Sequence, residues 1–188
     1  MKKYISCVLL LLALGCSKST DTPSETAPCG IERWSIKNLT DGDVATIDWS
    51  SPMSSIAAQD SFPRITVGDT TARLAFEKQT VSIPCTIVAF VREDDSDIHL
   101  ILTDASQDSM IAEVPNVSCA ENAASSRAPA FMVAYQWVLD NVGKPTTTFK
   151  KVSVPATVSG VLFQDFPHGQ KGHALNYREI HPVLGISK

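Results

Sequence analysis

The sequence predicts a mainly β domain, a small β-barrel built from three strands, one helix and two further strands. Three observations predict it. Residues 80–92, 98–104 and 109–115 alternate apolar with polar or small side chains and are separated by short polar turns, the period-2 pattern of a meander of half-buried strands. A segment of helical period with stop signals at both ends follows, between Ser125 and Gly143. Two more alternating runs, 150–166 and 177–187, close the chain.

Each element has its own local reason. In the first strand Val81, Ile83, Cys85, Ile87, Ala89 and Val91 share a face, so Cys85 reads as a small core side chain. After the acidic turn EDDSD, Ile98, Leu100 and Leu102 fall on one face and His99 and Ile101 on the other. ASQD is the next turn, and Pro115 ends the third strand because it cannot donate to a ladder. For the helix, Ser125 or Ser126 can cap, Pro129 suits the first turn, and Gly143 with Pro145 gives the stop. Phe131, Ala134, Tyr135 and Val138 recur at helical spacing and read as core. The fourth strand places Val152, Val154, Ala156 and Val158 on one face, and Gly160 fits a bend or bulge. The fifth offers Ile180, Leu184 and Ile186. Three strands, helix, two strands is the order of an OB-fold, with a different small α+β sandwich as the alternative. Residues 30–80 mix Trp34 and Trp49 with the turn residues Asp41, Gly42 and Asp43, and predict short strands and loops packed as an apron on the barrel.

The first residues carry an address. MKKYISCVLLLLALGC has two lysines, an apolar run too short to span a bilayer, and a glycine before Cys16, which makes 1–15 a lipoprotein-type signal peptide and Cys16 its lipidated residue. An ordinary secretory peptide cut nearby is the alternative. Ser17 rather than aspartate after the cysteine favours an outer-membrane destination over inner-membrane retention. The chain is thus expected to be exported and lipid-anchored to the cell envelope. Residues 16–28 read as a flexible tether and 29–188 as a single domain. Removing Lys2 and Lys3 with the signal takes the formal charge from −4 to −6, which argues against nucleic acid as a partner. Cys29 and Cys119 both fall in loop-like sequence and are expected to form a disulfide in an oxidising compartment.

Chemistry-bearing residues gather late in the chain. All four histidines lie after residue 98, and three of them sit in FQDFPHGQKGHALNYREIHPV. In an OB-fold that connection frames the usual binding face. Glu179 and His181, two apart on a strand, share a face, and Asp165 and His168 flank the loop entrance. Three readings compete for Asp97, His99, Asp165, His168, Glu179 and His181. They could bind a divalent, zinc-like metal, since imidazole with carboxylate suits such an ion, although no H-E-x-x-H, paired C-x-x-C or EF-hand spacing is present. They could act as acid and base on a substrate, although no G-x-S-x-G or other nucleophile setting accompanies them. Or they could be structural, with His99, Glu179 and His181 satisfying buried groups and EDDSD forming a solvated turn whose aspartates bond their own backbone. The third reading is preferred. It leaves a binding or interaction module for an unknown protein or small-molecule ligand, with a metal-dependent hydrolase as the alternative function.

The blocks ERWSIKNLTDGD, EDDSDIHLIL, MIAEVP, the cysteine after it, and GVLFQDF with HGQ and REIHPV resemble, in this order, a group of bacterial exported proteins and lipoproteins. The resemblance runs over roughly residues 29–186. It implies export and one domain, and that the acidic turn with His99 belongs together with the His168–His181 segment. Lys171 and His173 stand where the group's HGQTG pattern differs.

Overall fold

Period-2 alternation becomes five strands: β1 (Thr80–Arg92), β2 (Ile98–Thr103), β3 (Ser109–Val114), β4 (Lys150–Gln164) and β5 (Arg178–Ser187). The computed structural model describes residues 27–188, so the signal segment 1–15, Cys16 and most of the 16–28 tether lie outside the described residues. The strands close into a ring in the order β1-β2-β3-β5-β4. β1 pairs antiparallel with both β2 and β4, and β2 with β3. β4 and β5 are also antiparallel, whereas β3 and β5 meet in parallel at one register pair, Ala112↔Ile180. This mainly β ring, with a helix between its third and fourth strands, has the OB-fold order. Its interior is apolar, with Ile83, Ile87, Leu100, Leu102, Met110 and Val158 removed from solvent.

The connecting helix, α4 (Ala128–Asn141), presents Ala134 and Val138 to that core and Phe131 to a second cluster with Leu39, Ile47 and Val161; it follows two short helices in residues 30–80 and a third at Ala120–Ala124, given as α1 to α3 below. Its N-cap is Arg127 rather than either serine, and no side chain caps it. Ser125 Oγ instead accepts the Arg127 N–H at 3.2 Å, two residues ahead of the cap position. Pro129 lies in the first turn, where a missing N–H leaves nothing unmade, and Gly143 takes φ 130° beyond the end.

Residues 30–80 correct the expectation of short strands. They fold into α1 (Trp34–Lys37), α2 (Ile56–Asp60) and two 3-10 turns, and their β-type pairing is limited to the isolated bridges Asp48↔Gln79 and Met53↔Ser82. Turn formers recur too closely there for a ladder, so side chains do the fastening. Arg33 donates from Nη1 and Nη2 to Glu77 at 2.8 and 2.6 Å, from Nε to Thr71 O at 3.0 Å, and from Nη1 to Gln164 O at 2.9 Å. Glu77 in turn accepts the Gln164 and Leu74 N–H groups at 2.8 and 2.6 Å. The disulfide Cys29–Cys119, with its Cα atoms 5.3 Å apart, fixes the start of the apron to α3 (Ala120–Ala124). Cys85 is the free cysteine among the described residues; it packs half-buried against the core, and burial pushes its thiol up to about 12.

The last strand departs from strict alternation. Register shifts flank Gly160, and as a result Val183, not Leu184, joins the main core with Ile180, while Leu184 packs on the second cluster. Glycine is required at this crossing: a Cβ on Gly160 would collide with the Pro182 carbonyl oxygen and stand 2.5 Å from Ile180 Cγ2. Gly160→Ala is therefore expected to destabilise the protein by about 1–3 kcal/mol, the usual range for overpacking, as read by urea denaturation. An unchanged midpoint would show that β4 and β5 can separate without cost. No helix among the described residues is long and apolar enough to cross a membrane.

Candidate ligand-binding site

Because β2, β3 and β5 alternate, the residues opposite their core-facing side chains point to the outside of the ring. His99 and Glu113 are direct cross-strand partners there. The parallel pair Ala112↔Ile180 brings their successors, Glu113 and His181, side by side. Glu179 shares the His181 face, and Asp97 arrives from the turn before β2. In an OB-fold this face, with the β1–β2 and β4–β5 loops, is where ligands bind. Here the apron covers it, and Asp97, His99, Glu113, Glu179 and His181 are all buried.

The geometry is dense with charge. His99 Nδ1 lies 3.1 Å from Glu93 Oε1 and 3.3 Å from Glu113 Oε1, shared between the two and aligned with neither, while Nε2 contacts the Lys171 carbonyl at 3.1 Å. His181 Nδ1 lies 3.3 Å from Glu179 Oε1 and 3.4 Å from Glu113 Oε2, and its Nε2 is 3.8 Å from Asp97 Oδ2. Asp97 Oδ1 accepts the Asn116 N–H at 2.8 Å and Asn122 Nδ2 at 3.3 Å. Asp97 Oδ2 and His181 Nε2 are buried without a hydrogen-bond partner. Asp97, Glu113 and His181 present three donor atoms within 4.8 Å of one another, the group among the described residues suited to hold a metal ion.

Protonation follows from these surroundings. Burial opposes the His99 imidazolium, yet Glu113 and Glu93 outweigh it and push the group up to about 9. Burial holds His181 neutral, down to about 3, against the pull of Glu113. Burial, then Asp95, raises Asp97 well above the usual carboxylate range, and burial with Asp165 and Glu113 does the same to Glu179. Burial would likewise raise Glu113, but the His99 hydrogen bond and the Lys37 charge hold it far below its ordinary value. Lys37, from α1, keeps its charge despite burial because Glu113, Glu179, Asp165 and Asp95 surround it. The raised His99 value has a pH consequence. Its share of stability is complete below its ordinary 6.5 and is lost as pH rises through about 9. The raised carboxyls Asp97 and Glu179 act in the same direction, since the unfolded chain gives up their protons more readily. The metal-free protein is therefore expected to lose stability steadily over that window, and His99→Asn to flatten the slope; chemical denaturation at a series of pH values reads both.

A cleft of about 450 Å³ opens onto this cluster, lined by Gly30, Ile31, Glu32 and Lys37 from the apron, Glu93, Asp94 and Asp95 from the β1–β2 loop, Glu113, and His168 and Gln170 from the β4–β5 loop, with the Cys29 half-cystine at its edge. Glu113 thus belongs both to the cleft wall and to the buried cluster. Burial and then Glu113 push Asp95 up to about 6.

The six residues read from the sequence divide. Asp97, His99, Glu179 and His181 converge. Asp97 is fully buried, which corrects the reading of EDDSD as a solvated turn at that residue; Asp94 is exposed as expected, and Asp95 Oδ1 accepts the Asp97 N–H at 3.1 Å. Asp165 and His168 form a separate pair, Oδ2 to Nε2 at 2.6 Å, at the cleft edge with His168 half-exposed. His173 stands apart, stacked on Tyr177 with ring centroids 4.3 Å apart. Sequence reasoning missed Glu113 and Lys37. A lone carboxylate in the otherwise apolar MIAEV run, cross-strand from His99, was the available signal for the first. No protein family, curated protein or solved structure matches the chain.

Proposed function

We propose that this chain is an exported protein, anchored in the outer membrane of the cell envelope by lipid on Cys16, whose domain is a binding module that takes a small cationic ligand in the cleft between the apron and the two loops. One observation carries the reading: the cleft lining sets Glu32, Glu93, Asp94, Asp95 and Glu113 against Lys37, whose charge the buried carboxylates already engage. Such a wall concentrates cations and repels phosphates, which disfavours nucleic acid.

Isothermal titration with spermidine, beside an uncharged analogue of the same length, tests this. Spermidine is expected to bind with an affinity that falls as salt is raised. Glu93→Gln and Asp94→Asn are each expected to weaken binding by roughly 1.5- to 5-fold, the range for exposed ion pairs. No heat with spermidine at low ionic strength, or equal heats for the uncharged analogue, would sink the cationic reading.

A hydrolase is the second reading, favoured by the Asp165–His168 pair, since a carboxylate that fixes an imidazole at a cleft edge is the arrangement of a general base. No hydroxyl or free thiol lines the cleft among the described residues, so water would have to be the nucleophile. Ester and phosphoester hydrolysis lost in His168→Gln would move this reading ahead.

A further inference from the structure

We propose that Asp97, Glu113 and His181 hold a divalent transition-metal ion behind the cleft. This site goes beyond the cationic-ligand reading and shares with it the cleft as entrance and Glu113, which stands in both. The observation that carries it is the pair of buried atoms without partners, Asp97 Oδ2 and His181 Nε2, which face each other across 3.8 Å. A proton shared between them cannot satisfy both, because a hydrogen bond to an acceptor nitrogen fades well short of that distance. An ion can. Zinc sits about 2.0–2.2 Å from imidazole nitrogen and carboxylate oxygen, so two donors on one ion stand up to about 4.3 Å apart.

The neighbours aim these atoms. Asp97 Oδ1 is occupied by the Asn116 N–H and by Asn122, which leaves Oδ2 turned inward. His181 Nδ1 engages Glu179 at 3.3 Å and has Glu113 Oε2 at 3.4 Å, which leaves Nε2 turned toward Asp97. A carboxylate behind a histidine, with the far ring nitrogen free, is the second shell that metal-binding imidazoles use to fix tautomer and direction. Glu113 spends Oε1 on His99 and brings the third donor. An imidazole with two carboxylates and no thiolate suits zinc, manganese or ferrous iron rather than a soft ion. Three protein donors also leave a coordination position open, and Glu113, which lines the cleft, marks the route to it.

The test is metal analysis of the full chain, purified in detergent with neither chelator nor a metal-affinity tag, followed by titration of the chelator-stripped protein with cobalt(II) monitored by its visible absorption. One equivalent of metal is expected, with a cobalt spectrum of nitrogen and oxygen ligation. Asp97→Asn and Glu113→Gln are expected to abolish it, and Glu179→Gln to weaken affinity about 10- to 100-fold, the effect of removing a second-shell partner. Circular dichroism of each variant separates lost metal from lost fold; should Asp97→Asn fail to fold, Glu113→Gln and Glu179→Gln decide. A folded protein that takes up no zinc, manganese or cobalt overturns the proposal, as does uptake that the folded variants leave unchanged. Spermidine binding by a protein that takes no metal strikes this site alone, and metal uptake without spermidine binding strikes the cationic-ligand reading alone.

Discussion

Glu77→Ala is expected to cost about 3–5 kcal/mol of folding stability, the range for breaking a buried ion pair from one side. Arg33 and Glu77 are both buried. The cost has two sources. Removing the carboxylate leaves the Arg33 guanidinium in the interior with only carbonyl acceptors, and it orphans the N–H groups of Leu74 and Gln164 that Glu77 now accepts. Arg33 joins the apron to the end of β4 through Gln164 O and lies over Phe163, with 4.7 Å from its Cζ to the ring centroid. Loss of the pair is therefore expected to release residues 30–37 from the barrel as well as to lower stability. Equilibrium denaturation gives the magnitude, and proteolysis of the apron in the native protein gives the second effect. A cost below about 1 kcal/mol, as for an exposed pair, would contradict the assignment of this pair as the apron's fastening.

Replacing both Cys29 and Cys119 by serine is expected to cost about 4 kcal/mol in the chain-entropy account, because the bridge spans a sequence separation of 90 residues. For a domain of this size each kcal/mol moves the melting temperature by about 2–4 °C, so a fall on the order of 10 °C is expected. Reductant added to the parent protein should reproduce the shift, and Cys85→Ser should not, since Cys85 is unbridged. The bridge also carries a functional share. Cys29 starts the apron strip Gly30, Ile31 and Glu32 that walls the cleft, and Cys119 precedes the helix that holds Asn122 against Asp97. Spermidine binding should weaken in the double variant even at temperatures where it stays folded.

Much of the barrel was legible because one face of each strand is apolar and the turns between strands are short. Alternation alone gives β1 to β3 and their order, and the Pro129 and Gly143 punctuation gives α4. Alternation failed where the backbone itself irregularises, at the register shifts beside Gly160 that send Val183 rather than Leu184 inward. It failed more broadly in residues 30–80, where Arg33 and Arg73 find their partners 44 and 32 positions away and no local period records them. The site divides along the same line. His99, Glu179 and His181 announce themselves as polar residues on strands. Glu113 could have been found by counting back across the β2–β3 turn from His99, with which it pairs. Lys37 could not, because only the tertiary fold of the apron sets it among the carboxylates.

The ring is joined most thinly between β3 and β5, where Ala112↔Ile180 is the one register pair. Glu113 and His181 stand immediately after those two residues, on opposite sides of that seam. Anything that grips both side chains therefore bolts the barrel shut at the place its backbone pairs least. Binding free energy at the site then passes directly into resistance to opening, by the same mass action through which any ligand of the native state stabilises it. The amides of Met110–Val114 and Arg178–Val183 would be the reporters, exchanging with solvent more slowly when the site is filled while the β1–β4 ladder, already paired over most of its length, changes little.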